Sequence, residues 1–314
     1  TTLTLADVGG TATLSGDVDV TTLTVGNTVA NVAFTGNGSS VANSFTPNND
    51  GTFIFGASGG TQTYNGGLNT ASVGSTVTLN GSLVTSDDAL TVGAATLGSN
   101  TILTSAGGAI VTGAIIGTSS EDLTITSSGG GTNTVVTNGT IGASGNINTI
   151  AITGATSVSL GGNISTNDAS GNTVTVTGNT VDLNGITVDT NNTNNDGNIT
   201  INVNTFPDSI TVDAGGAVMQ MTPVTTNAVI EAARTNSGNI SEDTFYDVDL
   251  VNVTNAAHVL IGSSSHTGNI FWGNDSAALV FSAVGNVVLQ NSSSGQILLS
   301  SDFTSSNGFL TLTS

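Results

Sequence analysis

Short alternating runs of apolar and polar residues recur along the whole chain. Thr21–Val25 (TTLTV), Thr76–Leu79 (TVTL), Leu123–Thr126 (LTIT), Thr149–Thr153 (TIAIT), Thr173–Thr177 (TVTVT), Asn198–Val203 (NITINV) and Ser209–Val212 (SITV) share one pattern. Val, Leu or Ile takes one parity, and Thr, Ser or Asn the other. A period of two is the mark of a half-buried strand, because successive side chains point to opposite faces. Threonine outside and a branched aliphatic inside both suit a pleated surface. Gly or Asn bounds most runs, and both tolerate the left-handed backbone angles of tight corners. Helical spacing is nearly absent. The single segment that carries it, Ala228–Arg234 (AVIEAAR), predicts about two turns of helix, too short to stand alone.

Repeats decide between hairpins and a solenoid. Asn172–Gly178 (NTVTVTG) runs directly into Asn179–Gly185 (NTVDLNG) and then Ile186–Asp189 (ITVD). The corners are one or two residues wide, and the next strand resumes with its aliphatics in the same phase. A chain that turns after each short strand and stacks on itself is a parallel β-solenoid. Stacked Asn side chains are expected to form amide ladders along its axis. Coils of roughly 20 residues would give about 15 turns, with insertions such as Asp189–Gly197 (DTNNTNNDG) protruding as loops.

The expected organisation is one elongated solenoid over residues 1–314, most regular over 66–230. Aromatic residues sit in the flanks. Phe34, Phe45, Phe53, Phe55 and Tyr64 lie early, and Phe245, Tyr246, Phe271, Trp272 and Phe281 lie in the 231–314 part, which reads as a cap or contact region. Phe271, Trp272, Phe245 and Tyr246 are therefore the candidate partner-contact residues, the alternative being that they fill wider coils.

Composition narrows the function. The chain carries 21 acidic residues and one basic residue, for a net charge of −20. A nucleic-acid partner needs cations to displace phosphate counterions, and an anionic membrane surface needs the same, so neither is expected. No apolar run is long enough to insert in a bilayer as a helix. There is no cysteine, which excludes disulfides and thiolate metal sites. Hydrophobic residues reach 37%, enough for a core. A start at Thr1 without methionine reads as a processed product or a segment of a longer chain.

Catalytic constellations are thin. A lyase acting on acidic sugars needs cations beyond Arg234. A glycosidase needs two carboxylates about 5–10 Å apart; the Asp17/Asp19 and Asp247/Asp249 pairs share a strand parity but read as solvated acids. Glu242, Asp243, Asp247 and Asp249 (EDTFYDVD) are dense enough in hard oxygen ligands to be candidates for calcium, the one cofactor considered, although no EF-hand or nonapeptide calcium repeat is present. Asp87–Asp88 and Glu121–Asp122 read as loop charges. His258 and His266 have no third ligand in frame, so ordinary histidines are expected rather than zinc.

Gly60–Gly67 (GTQTYNGG), Ala89–Val92 (ALTV), Leu97–Gly107 (LGSNTILTSAG) and Gly108–Ile115 (GAIVTGAI) resemble the tandem β-strand repeats of giant bacterial surface proteins, the filamentous-haemagglutinin and autotransporter-adhesin class. The resemblance covers roughly residues 50–215. It implies a right-handed parallel β-helix, exported and displayed at the bacterial cell surface, serving as an adhesin or fibre. The expected function is thus a non-enzymatic extracellular building block of a fibre, sheath or adhesive stalk, polymerising head to tail. Two alternatives stand beside it. One is an adhesin segment that binds glycan or a host surface. The other is an ice-binding solenoid, suggested by Thr-x-Thr pairs at Thr22/Thr24, Thr76/Thr78, Thr124/Thr126 and Thr173/Thr175/Thr177.

Overall fold

The computed structural model describes residues 1–143, 146–205, 210–232, 245–247, 251–272, 284–299 and 308–314. Among them there is no helix, every strand pairing is parallel, and the chain makes about 11 turns of β-solenoid. The turns are fewer than the expected 15 because coils exceed 20 residues. One coil carries the chain from Val77 to Ala95, but another runs from Leu123 to Ile150, and a third from Val218 to His258. The segment with helical spacing is a strand, Val229–Ala232. Val229 pairs with Phe245 and Ile230 with Ile270. Both side chains are buried, so tertiary pairing overrides the local spacing.

Two compact units divide the chain at residues 167 and 168. In Thr1–Asn167 three stacks of inward residues define three faces. The first runs Val32, Phe53, Val77, Ala95, Ile115, Ile141, Ile164. Leu83, Leu103, Ile125 and Ile152 form the second. Phe45, Leu68, Leu90, Ile110, Val135 and Val158 form the third. Nearly all are at or close to full burial. In Asp168–Ser314 the corresponding stack is Val174, Ile199, Met219, Val259, Val287 and Leu310.

The early aromatic residues fill the first coils. Phe34, Phe45, Phe53, Phe55 and Tyr64 are all at most 1% exposed. Phe53 and Phe55 stack at 4.1 Å between centroids, and Phe34 meets Phe53 edge-on at 5.1 Å. The Tyr64 hydroxyl donates to Gln62 Oε1 at 2.8 Å, so its one polar atom is satisfied inside.

Not every inward stack is apolar. Thr85, Ser105 and Ser127 stack in register at the end of the second face and are almost fully buried. Thr85 Oγ1 donates to the Asp88 carbonyl at 2.8 Å, and Ser127 Oγ to that of Gly108 at 2.7 Å. Ser105 Oγ accepts from the Gly108 amide at 2.8 Å. These hydroxyls satisfy corner backbone groups that no ladder reaches. Beyond the corner the chain needs glycine: Gly129 has φ +123°, and a Cβ there would collide with the Ala106 carbonyl oxygen.

Ile125 sits at the centre of the second stack, with Leu103 before it and Ile152 after it. Ile125→Ala should destabilise the protein by about 3 kcal/mol through lost burial and a cavity that rigid strands cannot close. Denaturant unfolding followed by far-UV circular dichroism checks this.

Candidate functional surface

The sequence-predicted residues fall into two groups. Glu242, Asp243 and Asp249 lie outside the described residues, as does Phe281. Asp247, Phe245 and Tyr246 form the strand Phe245–Asp247, which lies against Val229–Ala232. Phe271 and Trp272 belong to the strand Ile270–Trp272, whose parity puts Trp272 inward at 1% exposure and Phe271 partly outward. Trp272 therefore fills its coil and offers no surface to a partner. Among the described residues, no group of three or more His, Cys, Asp or Glu side chains could hold a metal ion.

The histidines part company. His258 stacks on Asn286, whose side-chain amide lies 3.1 Å from its Nδ1. His266 is buried at 1%, and neither ring nitrogen has a partner among the described residues. Burial holds its pKa below the usual histidine value. Asp17, in the first Asp pair, accepts the Gly38 amide at 2.8 Å, while Asp19 lies exposed.

Glu121 overturns its loop reading. It begins the strand Glu121–Ser127 and is 5% exposed. Its carboxylate accepts the Thr118 amide at 2.8 Å, the Ser119 amide at 3.0 Å, the Thr118 hydroxyl at 2.5 Å and the Ser119 hydroxyl at 3.2 Å. Burial pushes its pKa up, but the bonds from the Ser119 amide and from Thr118 outweigh that and hold it at about 2, against 4.5 ordinarily. Asp122, next in the chain, faces outward and joins three coils. It accepts Asn100 Nδ2 at 3.2 Å, and the Thr149 hydroxyl at 2.7 Å. A carboxylate with two polar residues before it was the available signal, but exposure of acids is the general expectation.

A polar groove of about 550 Å³ crosses successive coils beside Glu121. Ser58, Gly59, Gly81, Ser82, Gly98, Ser99, Asn100, Ile102, Ser119 and Ser120 line it with Glu121. Small residues open it, and hydroxyls and an amide supply donors and acceptors. Ile102 forms an apolar patch at 44% exposure.

The outward side of the second face shares Ser82 and Ile102 with the groove and extends beyond it. Its strands stay in step across five coils. One column reads Thr61, Ser82, Ile102, Thr124, Ala151, and the other Thr63, Val84, Thr104, Thr126, Thr153. The register slips in these strands fall between Leu79 and Gly81 and between Glu121 and Leu123, before the grid begins. Coil-length variation is thus absorbed at corners. The grid has no charged residue.

No family model, curated protein or solved structure matches the chain. What the structure establishes by itself is a class: an all-β parallel solenoid, a repeat architecture compatible with β-helix adhesin-like proteins. No helix among the described residues is long and apolar enough to cross a membrane.

Glu121 gives a pH test. A carboxyl whose pKa is depressed on folding contributes stability that is complete above its unfolded value and disappears as pH falls through its folded value. Between pH 4.5 and 2 the stability should decline with a component that Glu121→Gln removes. At neutral pH Glu121→Gln should cost about 2 kcal/mol, because amides left facing a weaker acceptor remain buried. Urea melts of both proteins across that pH range provide the check.

Proposed function

We propose that this chain is a non-enzymatic extracellular structural protein, a building block of a surface fibre, sheath or adhesive stalk. One observation carries the reading: among the described residues, the inward columns of each unit stack coil on coil in parallel register. Such a fold gains length by repetition rather than by enclosing a site. The edge of the strand Leu310–Thr313 supports assembly by stacking. Among the described residues it pairs only with Val284–Gln290, leaving Leu312 48% exposed and Phe309 78% exposed. Another coil, of this chain or of a second copy, would seat there, and such a head-to-tail contact does not close on itself. The excess of carboxylates favours assembly in calcium or high salt over assembly at low salt.

Electron microscopy of the native material with and without calcium tests this. Unbranched filaments, more abundant with calcium, are the expected result. Phe309→Asp with Leu312→Asp should raise the concentration needed for assembly at least tenfold. Discrete particles at every concentration, with and without calcium, would overturn the reading.

The groove beside Glu121 favours a second reading, an adhesin segment for a neutral glycan. Its hydroxyls and amide suit sugar hydroxyls, and its lack of cations disfavours acidic sugars. Ser58→Trp, which fills the groove from an exposed position, should abolish saturable binding on a glycan panel. Binding that survives the substitution would place the sugar elsewhere.

A further inference from the structure

Three features of the molecule call for a role beyond a scaffold: the buried His266 and its neighbour corner, the polar groove, and the threonine grid. His266 and Asn291 each carry unsatisfied buried polar atoms, and the Ser292 amide donates to the His266 carbonyl at 2.7 Å, which puts the two at one corner. Among the described residues that corner offers no group of metal-ligating side chains. The groove belongs to the glycan reading. The grid carries an inference of its own.

Six of its ten outward positions are threonine, with one serine beside them. The third face, built of strands in the same coils, does not share it. In the same coils the outward column of the third face reads Asn69, Thr91, Val111, Val136, Ser159, with a single threonine. The outward column of the first face in these coils includes Ile54, Thr78, Thr96 and Ile116, with Thr76 exposed beside Thr78. Threonine is thus sparse on the third face, and the second face carries its longest in-register run, Thr104, Thr126 and Thr153.

The hydroxyls are also uncommitted. None of the six has a hydrogen-bond partner among the described residues. Elsewhere the fold uses such groups freely: Thr149 bonds Asp122, Thr118 bonds Glu121, and Thr52 bonds Asn31. The grid hydroxyls therefore point to solvent with a donor and two acceptor positions each. Threonine is β-branched and stiff at χ1, so each hydroxyl and its methyl group hold a fixed place. Coils repeat at about 4.8 Å and outward residues along a strand at about 6.7 Å. A rigid two-dimensional array of methyls and hydroxyls at those spacings is close to the oxygen repeats on the prism faces of hexagonal ice.

We propose that the outward face formed by Thr61/Thr63, Ser82/Val84, Ile102/Thr104, Thr124/Thr126 and Ala151/Thr153 adsorbs to ice. Its rigid hydroxyls hold water in lattice positions, and its methyls, with Ile102 and Val84, exclude liquid water from the contact. Side chains already fixed lose little entropy on adsorption, which is the condition for a weakly attractive surface to hold. The absence of charge matters for the same reason: carboxylates or ammonium groups keep a liquid hydration shell that does not match the lattice. The inference does not depend on the structural reading above, since a stalk or a free segment could carry the face equally well.

The test is thermal hysteresis and ice-crystal shaping with the full chain at millimolar concentration. Thr104→Tyr and Thr126→Tyr change the centre of the grid from outward positions, and Thr91→Tyr is the control on the third face. Far-UV circular dichroism and melting temperature confirm that all three fold. Hysteresis with faceted crystals should appear for the parent and for Thr91→Tyr, and should fall at least tenfold in both grid variants. Absence of hysteresis and shaping in the folded parent overturns the proposal. So does hysteresis that the grid variants retain, or that Thr91→Tyr loses equally. Sedimentation distinguishes the competing occupant: if the parent is a dimer that the grid variants dissolve and no hysteresis is seen, the face is covered by a second copy instead.

Discussion

The parallel hydrogen-bond ladder between coils is the constraint on which the rest of the structure depends. A parallel strand cannot satisfy its backbone groups within itself, so each coil needs the one before it and the one after it. Once the ladder is in register, residues at equal positions in neighbouring coils stack directly. That is why the core consists of columns and not of a cluster: Phe45, Leu68, Leu90, Ile110, Val135 and Val158 are neighbours through register alone. A slip of one residue would turn every inward side chain outward. Irregular coil lengths are tolerated only where the ladder is already broken, at the corners. The coil from Val218 to His258 is long, yet Met219 still stacks on Val259.

The corners also explain a chain with so many acids and almost no bases. Carboxylates here meet backbone amides in place of cations. Glu121 takes the amides of Thr118 and Ser119, Asp17 that of Gly38, and Asp196 those of Asn192 and Gly216. Asp168 accepts the amides of Asn194 and Asn195, and these bonds lower its pKa. A turning backbone exposes N–H groups that no ladder uses, and a carboxylate is a stronger acceptor for them than a hydroxyl. Part of the net charge is thereby a device of the fold, although it leaves the surface negative and sensitive to salt. Where two acids stack, as Asp189 on Asp213, burial of Asp189 and then the neighbouring charge raise its pKa, so that pair gains nothing from its proximity.

Much of this was legible in the residues. The alternation in Thr173–Thr177 and Asn198–Val203 predicts two half-buried strands, and the structure stacks Val174 on Ile199 and Val176 on Ile201. The architecture followed from the short Asn/Gly corners between like-phased strands. What was not legible was anything set by register between distant coils. Ala228–Arg234 has helical spacing, and only its pairing partners make Val229–Ala232 a strand. Trp272 looked like a contact residue because its parity could not be tied to a core column until Ile270 was placed against Ile230. Glu121 looked like a solvated acid because the turn that embraces it is defined by coordinates, not by composition. The Thr-x-Thr pairs were visible, yet only Thr124/Thr126 among them lies in the two-column grid. Thr61, Thr63, Thr104 and Thr153 join through register, and no single run of sequence shows that they are neighbours.

The two parities of each strand are thus under unequal demands. An inward position must match the residues above and below it in volume and must carry no unsatisfied polar atom, so its chemistry is fixed by the column. An outward position on a central strand has no such partner to satisfy. It is nevertheless held as rigidly as the core, because the same ladder places it. A solenoid therefore presents outward side chains in a lattice whose spacing is set by backbone geometry and not by the side chains themselves. Any recognition that needs extended order, whether of a second solenoid, a chain of sugars or a crystalline surface, can be written in that parity without cost to the core. Where neighbouring coils repeat one outward chemistry, as Thr104, Thr126 and Thr153 do on the second face, the demands of the core leave that choice open.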